Sequence, residues 1–120
     1  MLRINPVVLE VLKQQQPTLR QIERRHRDLA RQLRRCSCSV ALNLAEGMYS
    51  RGRNRGARYH NALGSARETL ACLEVATVCG FVPQDVALHD QLDRVVAALA
   101  KLINLGRLSG EPGAALRVAT

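Results

Sequence analysis

The sequence predicts an all-α protein, an up-and-down antiparallel four-helix bundle. Apolar residues recur at alternating steps of three and four along three long stretches, which is the pattern of a helix that faces a core. The hydrophobic class makes up 47% of the 120 residues and aromatic residues only 2%, so the apolar side chains are nearly all Leu, Val and Ala, which favour helices over β-sandwiches. Short connections between the stretches make neighbouring helices antiparallel.

The first helix is predicted to run from Pro6 to about Arg24, followed by a turn at 25–28. Pro17 lies in the middle of this segment and removes a backbone hydrogen bond. Either one kinked helix continues through Pro17, or a short helix ends near Gln16 and another begins at Pro17. The single kinked helix is preferred because it gives four elements of comparable length.

The second and third helices have the clearest boundaries. The second carries an apolar stripe that ends at Gly47, where glycine is a natural C-terminal stop. The third is predicted to begin at an Asn54 cap and to end at Gly80. The two stripes consist of Leu29, Leu33, Cys36, Val40 and Leu44, and of Tyr59, Leu63, Ala66, Leu70, Leu73 and Thr77.

The fourth helix is opened by Pro83 and Asp85 and closed by Gly106. Beyond it, the segment from Ser109 to Gly113 contains two glycines and a proline, which break the helical pattern. We therefore predict one domain, a four-helix bundle at residues 1–108, and a flexible C-terminal tail at residues 109–120.

Charge is distributed unevenly along this basic chain, which has a net charge of +8. Residues 1–67 hold 14 basic and 4 acidic side chains, and residues 68–120 hold 4 basic and 6 acidic ones. Sixteen of the 18 basic residues are Arg, whose planar fork suits phosphate, although a GC-rich genome gives the same bias. No apolar run reaches the roughly 20 residues of a membrane span, and the N-terminus lacks the apolar block of a signal peptide, so we predict a cytoplasmic protein without a membrane partner.

A specific motif runs along the second helix: Gln32-Leu33-Arg34-Arg35-Cys36, then Ser39-Val40, then Asn43-Leu44-Ala45-Glu46-Gly47. The third helix adds Gly64-Ser65-Ala66-Arg67-Glu68 and a Gly80-Phe81 turn. These residues resemble the four-helix bundle family first noticed as products of intervening sequences in bacterial large-subunit rRNA genes. The same family contains the accessory variability determinant of diversity-generating retroelements. The resemblance covers residues 28–82 well and the flanks by pattern alone.

The resemblance implies a non-catalytic bundle that assembles into a ring-like homopentamer. In the retroelement branch it also implies a basic surface that binds nucleic acid and a reverse transcriptase. A single chain does not show which branch applies. Small apolar residues beside the main stripes point in the same direction, because extra apolar surface usually marks an interface; they are Val7, Val11, Ala62, Thr69, Cys72, Ala76, Val96, Ala97 and Ile103.

Two groups of arginines are the candidate nucleic-acid-binding residues, for RNA or DNA. Arg24, Arg27, Arg31 and Arg34 follow helical spacing, and a turn near 25–28 would break this stripe. The second group lies in the segment 51–58, interpreted as a glycine-loosened connection that moulds to a phosphate backbone. Its members are Arg51, Arg53, Arg55 and Arg58. The alternatives are a solvated face with ion pairs for the first group and a flexible surface turn for the second.

Polar residues at steps of four and three border the apolar stripes of the second and third helices. We interpret them as a structural network in which the glutamates accept hydrogen bonds from Arg34, Arg35 or Arg67 and from Asn43, and so fix helix register or a subunit contact. The alternative is a ligand or catalytic pocket. The network comprises Arg35, Ser39, Asn43, Glu46, Ser65 and Glu68.

Enzyme function is not expected. The remote alternative is a metal-dependent bundle, because Glu23 and His26 have the spacing of a ligand pair in di-iron bundles. Such a site needs the motif twice, and no second copy occurs. The four cysteines lack metal-ligand spacing and are predicted to be reduced core residues. We expect no metal and no cofactor.

Overall fold

The computed structural model describes residues 6–108, and in this range four helices and no strand occur. The helices are α1 (Pro6–Arg25), α2 (Arg27–Tyr49), α3 (Arg53–Val78) and α4 (Val86–Leu108). They pack in the cyclic order expected of a bundle, each against its neighbours in sequence and α4 against α1. The predicted all-α four-helix fold is confirmed. The predicted tail at 109–120 lies outside the described residues.

Helix α1 continues through Pro17, so the interpretation as one helix is confirmed over the alternative of two. It ends at Arg25 because His26 adopts an extended conformation, with φ −155° and ψ 97°. The His26 Nδ1 atom accepts a hydrogen bond of 3.0 Å from the backbone N–H of Leu29 and thereby caps α2. Its ring also lies 5.7 Å from that of Phe81, which joins the α1–α2 turn to the end of α3.

The prediction that α2 stops at Gly47 was wrong, since the helix continues to Tyr49. Gly47 is buried and faces the ring of Tyr59 on α3. A Cβ atom at this position would lie 2.5 Å from Tyr59 Cε1 and 3.3 Å from Arg58 Cβ. Glycine is therefore required here by the close approach of two helices and not by the backbone conformation of a helix end.

Helix α3 begins at Arg53, one residue before the predicted Asn54 cap, so that cap assignment was wrong. The cap position is Gly52, with φ +57°, a conformation that glycine adopts without strain. At the other end the Gly80 stop is confirmed, with φ +77°. Gly80 N–H donates to Thr77 O and Phe81 N–H to Ala76 O, the two hydrogen bonds of a Schellman motif.

The predicted opening of α4 at Asp85 is confirmed. Asp85 Oδ1 accepts a hydrogen bond of 3.1 Å from Leu88 N–H, as a helix N-cap does. Helix α4 passes through Gly106, the predicted end, and ends at Leu108. Within the described range, none of the helices combines the length and apolar composition needed to cross a membrane.

Helices α2 and α3 form the most extensive contact of all helix pairs, and many buried side chains of α3 are small. Ala62, Ala66 and Ala76 of α3 are fully buried, and Thr69 and Cys72 lie beside them. Most of the small residues that suggested a subunit interface are thus part of the core of a single chain. Val7 and Ala97 remain exposed, and Val96 is half-buried.

Candidate nucleic-acid interface

An open groove on the outer face of α2 gathers half of the predicted polar and basic residues. Its lining includes three arginines of α2 and one of α3. The groove residues are Arg31, Arg34, Arg35, Cys38, Ser39, Leu42, Asn43, Glu46 and Arg58, and we call this surface the arginine groove.

The helical repeat explains why these side chains meet. Leu33, Cys36 and Val40 are buried in the core, whereas Arg34, Arg35 and Cys38 between them are exposed. Arg31 and Arg35 are one turn apart on that outer face, and Leu42 is 58% exposed further along it. Arg58 joins from the second turn of α3, which lies antiparallel to the end of α2.

A chain of hydrogen bonds links α2 to α3 along one wall of the groove. Ser39 Oγ and Ser65 Oγ are 2.8 Å apart and form a hydrogen bond between the helices. Asn43 Nδ2 donates to Ser39 Oγ at 2.9 Å and to Ser39 O at 3.0 Å. The Arg58 guanidinium donates to Asn43 Oδ1 at 3.4 Å and forms an ion pair of 2.9 Å with Glu46 Oε2.

A second set of contacts continues the network toward the other end of α2. Arg35 Nη2 donates to Gln32 Oε1 at 2.7 Å, and Gln32 Nε2 donates to Glu68 Oε2 on α3. Arg34 Nη2 donates to Glu23 Oε2 on α1 at 3.2 Å. The structure therefore brings all six predicted network residues into contacts across or along α2 and α3.

The partners of the two glutamates differ from those predicted. Glu46 pairs with Arg58, which we predict to bind nucleic acid, and Glu68 accepts a hydrogen bond from Gln32. The position of Arg34 along α2 explains the difference. Arg34 lies nearer to Glu23 of α1 than to the end of α2 that carries Glu46. Sequence reasoning missed Gln32, although its position seven residues before Ser39 places it on the same helical face.

The description of residues 51–58 as a loose connection was wrong. Only residues 50–52 connect α2 and α3, so Arg53, Arg55 and Arg58 are helical. Arg55 Nε donates to Ser50 O at 2.9 Å and ties the first turn of α3 to the end of α2. Arg51 is the one arginine of this group that lies in the connection.

The predicted stripe of arginines at positions 24, 27, 31 and 34 is divided between two helices. The extended conformation of His26 separates Arg24 on α1 from Arg27 on α2, so the stripe is not continuous. Helix α2 has 23 residues and spans about 35 Å at 1.5 Å per residue. Arg24 and Arg27 therefore lie near one end of the bundle and Arg51 and Arg53 near the other, with the arginine groove between them.

Two arginines of the arginine groove form ion pairs with glutamates at the protein surface. The Arg34–Glu23 and Arg58–Glu46 pairs are solvent-exposed, with side-chain exposures of 45–54%. Exposed ion pairs contribute little to stability, so separating either arginine from its glutamate costs little free energy. Arg31 makes no ion pair with any described residue.

Glu23 and His26, the residue pair of the metal-dependent alternative, contact different partners and do not form one site. Glu23 pairs with Arg34, whereas His26 lies outside α1 and uses Nδ1 to cap α2. They do not share a helix face as a di-iron motif requires. Among residues 6–108 no group of three or more His, Cys, Asp or Glu side chains is placed to hold a metal ion.

Comparison with known proteins gives one family match. The model of the family described as 23S rRNA-intervening sequence protein matches residues 8–104, which covers most of all four helices. No curated protein and no solved structure matches the chain significantly.

Proposed function

Because the chain belongs to the 23S rRNA-intervening sequence protein family, we propose that it is a non-catalytic, homo-oligomeric bundle that binds RNA or DNA through the arginine groove. The observation that carries this proposal is the convergence of Arg31, Arg34, Arg35 and Arg58 on one open surface. Guanidinium forks bind phosphate oxygens in pairs, and several on one face follow a polyanion without reading its sequence.

The wider charge distribution supports this surface. Arg24, Arg27, Arg51 and Arg53 extend the positive field beyond both ends of the groove, and all four are exposed. Acidic residues concentrate instead on the later part of the chain, as with Asp90 of α4, a helix that packs against α3 and α1. Binding should therefore be weakly sequence-selective and strongly dependent on salt.

The test compares two triple variants that lose the same charge. Arg31, Arg35 and Arg58 change to Gln in the groove variant, and the exposed Arg20, Arg25 and Arg67 change to Gln in the control. Affinity for a single-stranded and a double-stranded oligonucleotide is measured by fluorescence anisotropy between roughly 50 and 200 mM salt. We expect wild type to show a log-log slope near −0.7 per phosphate contacted for single strands and about −0.9 for duplex.

The groove variant should lose about three such contacts and flatten the slope accordingly, while the control stays close to wild type. Equal losses in both variants would show a general charge effect and reject the groove as the site. Absence of binding by wild type at roughly 50 mM salt would reject the function itself.

A second surface supports the homo-oligomer. An apolar groove of about 250 Å³ lies between α1, α2 and α4 and contains Val7, Leu44, Val95 and Leu102. Two large apolar side chains of its lining are exposed, Val7 at 51% and Leu102 at 37%. A contiguous apolar surface of this kind is typical of an interface, and the resemblance makes a pentamer the specific expectation.

Sedimentation equilibrium at micromolar concentration tests assembly. We expect a mass several-fold above the 13.3 kDa of one chain, and a Leu102→Glu variant should dissociate. A wild-type monomer would contradict the proposal. An assembled protein without affinity for RNA or DNA would favour the alternative function, a protein interaction scaffold, for which the apolar groove is the supporting observation.

A further inference from the structure

Exposed apolar side chains lie along the arginine groove, although a surface that bound phosphates alone would need none. Leu42 is exposed within the groove. Cys38, which the sequence predicted to be a core residue, is exposed one turn before it. Tyr49 is 56% exposed at the end of α2. We call these three residues, Cys38, Leu42 and Tyr49, the outer stripe.

The helical repeat places the outer stripe in line with two arginines. At about 100° per residue, Tyr49 lies within about 20° of Leu42 around the helix axis, and Cys38 within about 40°. Arg31 and Arg35 lie within about 20° of the same line, on the turns before Cys38. One face of α2 therefore presents positive charge along its first half and apolar surface along its second half.

Arginines also lie at the other end of the outer stripe. Arg58 lines the groove together with Leu42, and its ion pair of 2.9 Å with Glu46 neutralises the carboxylate on this face. Arg51 and Arg53 are exposed and follow Tyr49 by two and four residues. A ligand on the outer stripe therefore meets guanidinium groups at both ends.

The chemistry that fits this pattern is a chain of phosphates with flat, unpaired rings. The bases of a single strand are such rings, whereas a duplex stacks its bases inside and presents mainly sugars and phosphates. A base that stacks on the Tyr49 ring or packs on Leu42 removes apolar surface of both molecules from water. A duplex in the same groove would gain little from these side chains.

The two tyrosines of the chain differ in their availability to a base. Tyr59 is buried and faces Gly47, so its ring belongs to the α2–α3 contact. Tyr49 is exposed, and the chain contains no tryptophan. Tyr49 is therefore the aromatic side chain that this surface offers for stacking.

We propose that the outer stripe makes the arginine groove selective for single-stranded nucleic acid, whose bases pack on Leu42 and Tyr49 while its phosphates bind the arginines. This inference rests on the proposed function, because it assigns the kind of nucleic acid that the groove binds. The arginines provide affinity for any polyanion, and the two uncharged side chains determine the preference for unpaired bases.

The experiment compares two double variants that replace exposed apolar side chains at opposite ends of the bundle. Leu42 and Tyr49 change to Gln in the stripe variant, and the exposed Val78 and Val86 beside the α3–α4 connection change to Gln in the control. Affinities for an oligothymidylate, an oligouridylate and a DNA duplex of equal length are measured over the salt range used for the groove variant. Circular dichroism and sedimentation check that each variant folds and assembles.

We expect the stripe variant to lose about tenfold in affinity for both single strands and less than about twofold for the duplex, while the control stays close to wild type. Because the replaced side chains are uncharged, the salt slope should remain that of wild type. An equal loss for duplex and single strands, or no loss for either single strand, would overturn the proposal while the groove variant still tests the proposed function.

Two further outcomes would also overturn it. Dissociation of the stripe variant in sedimentation would identify the outer stripe as a subunit contact. Absence of binding by wild type to every probe would reject the proposed function together with this inference, which distinguishes the two failures.

Tyrosine emission provides a test that does not depend on the stripe variant. Because Tyr59 is buried and Tyr49 exposed, quenching by an added oligonucleotide measures stacking on Tyr49. Either single strand should quench wild type and the duplex should not, and a Tyr49→Phe variant should keep the affinity but lose the quenching. Quenching by the duplex, or none by a bound single strand, would overturn the proposal.

Discussion

The α2–α3 contact and the α1–α4 contact hold the bundle together by different means. Between α2 and α3, small buried side chains bring the backbones close, and hydrogen bonds such as Ser39–Ser65 cross the interface. Between α1 and α4, larger aliphatic side chains meet less closely and leave the apolar groove of about 250 Å³. The first contact is complete within one chain, and the second presents surface that a partner can cover.

Polarity follows the same division. The outer face of α2 carries the arginine groove with its polar network, whereas the surface beside α4 presents Leu102 and Leu105 to solvent. In the proposed function, one pair of helices therefore binds polyanions and the other assembles copies of the chain. Substitutions in the two contacts test this division of roles.

The largest effect should come from a core deletion in the α2–α3 pair. Leu33 is fully buried, so Leu33→Ala should lower the free energy of unfolding by about 2–5 kcal/mol. The matched deletion in the apolar groove, Leu102→Ala, should cost less than about 1 kcal/mol within the chain, because Leu102 is 37% exposed. Urea unfolding measures both, and equal losses would mean that the two contacts are equally tight.

Glycine substitutions test the close approach directly. Gly47→Ala would place Cβ against the Tyr59 ring, at 2.5 Å from Cε1, and should destabilise the fold by about 1–2 kcal/mol. Gly64→Ala meets nothing within 4 Å and should stabilise α3 by about 0.5–1 kcal/mol. A neutral or stabilising Gly47→Ala change would show that α2 and α3 can separate without cost.

The smallest effect should come from a single hydrogen bond between α2 and α3. In a double-mutant cycle with Ser39→Ala and Ser65→Ala, we expect a coupling energy of about 0.5–1.5 kcal/mol. The reference is a second cycle at Gln15 and Ser37, the buried pair between α1 and α2, joined at 3.0 Å. Zero coupling between Ser39 and Ser65 would show that this hydrogen bond does not stabilise the α2–α3 contact.

The candidate site was partly predictable because helical spacing determines which residues share a face. Ser39, Asn43 and Glu46 could be placed on one stripe of α2 from their spacing alone. Their partners could not, because the choice between Arg34 and Arg58 for Glu46 depends on how α3 is positioned against α2.

Gly47 and Gly80 distinguish a feature that depends on tertiary structure from one that depends on local sequence. The four helices, the caps at Asp85 and Gly80, and the polarity of each face follow from local sequence, because these features depend on residues within a few positions of each other. Both glycines had the local signature of a helix stop, yet α2 continues through Gly47. There the tertiary structure decided, because the absence of a side chain is needed to admit the Tyr59 ring from another helix, and no local pattern encodes that distance.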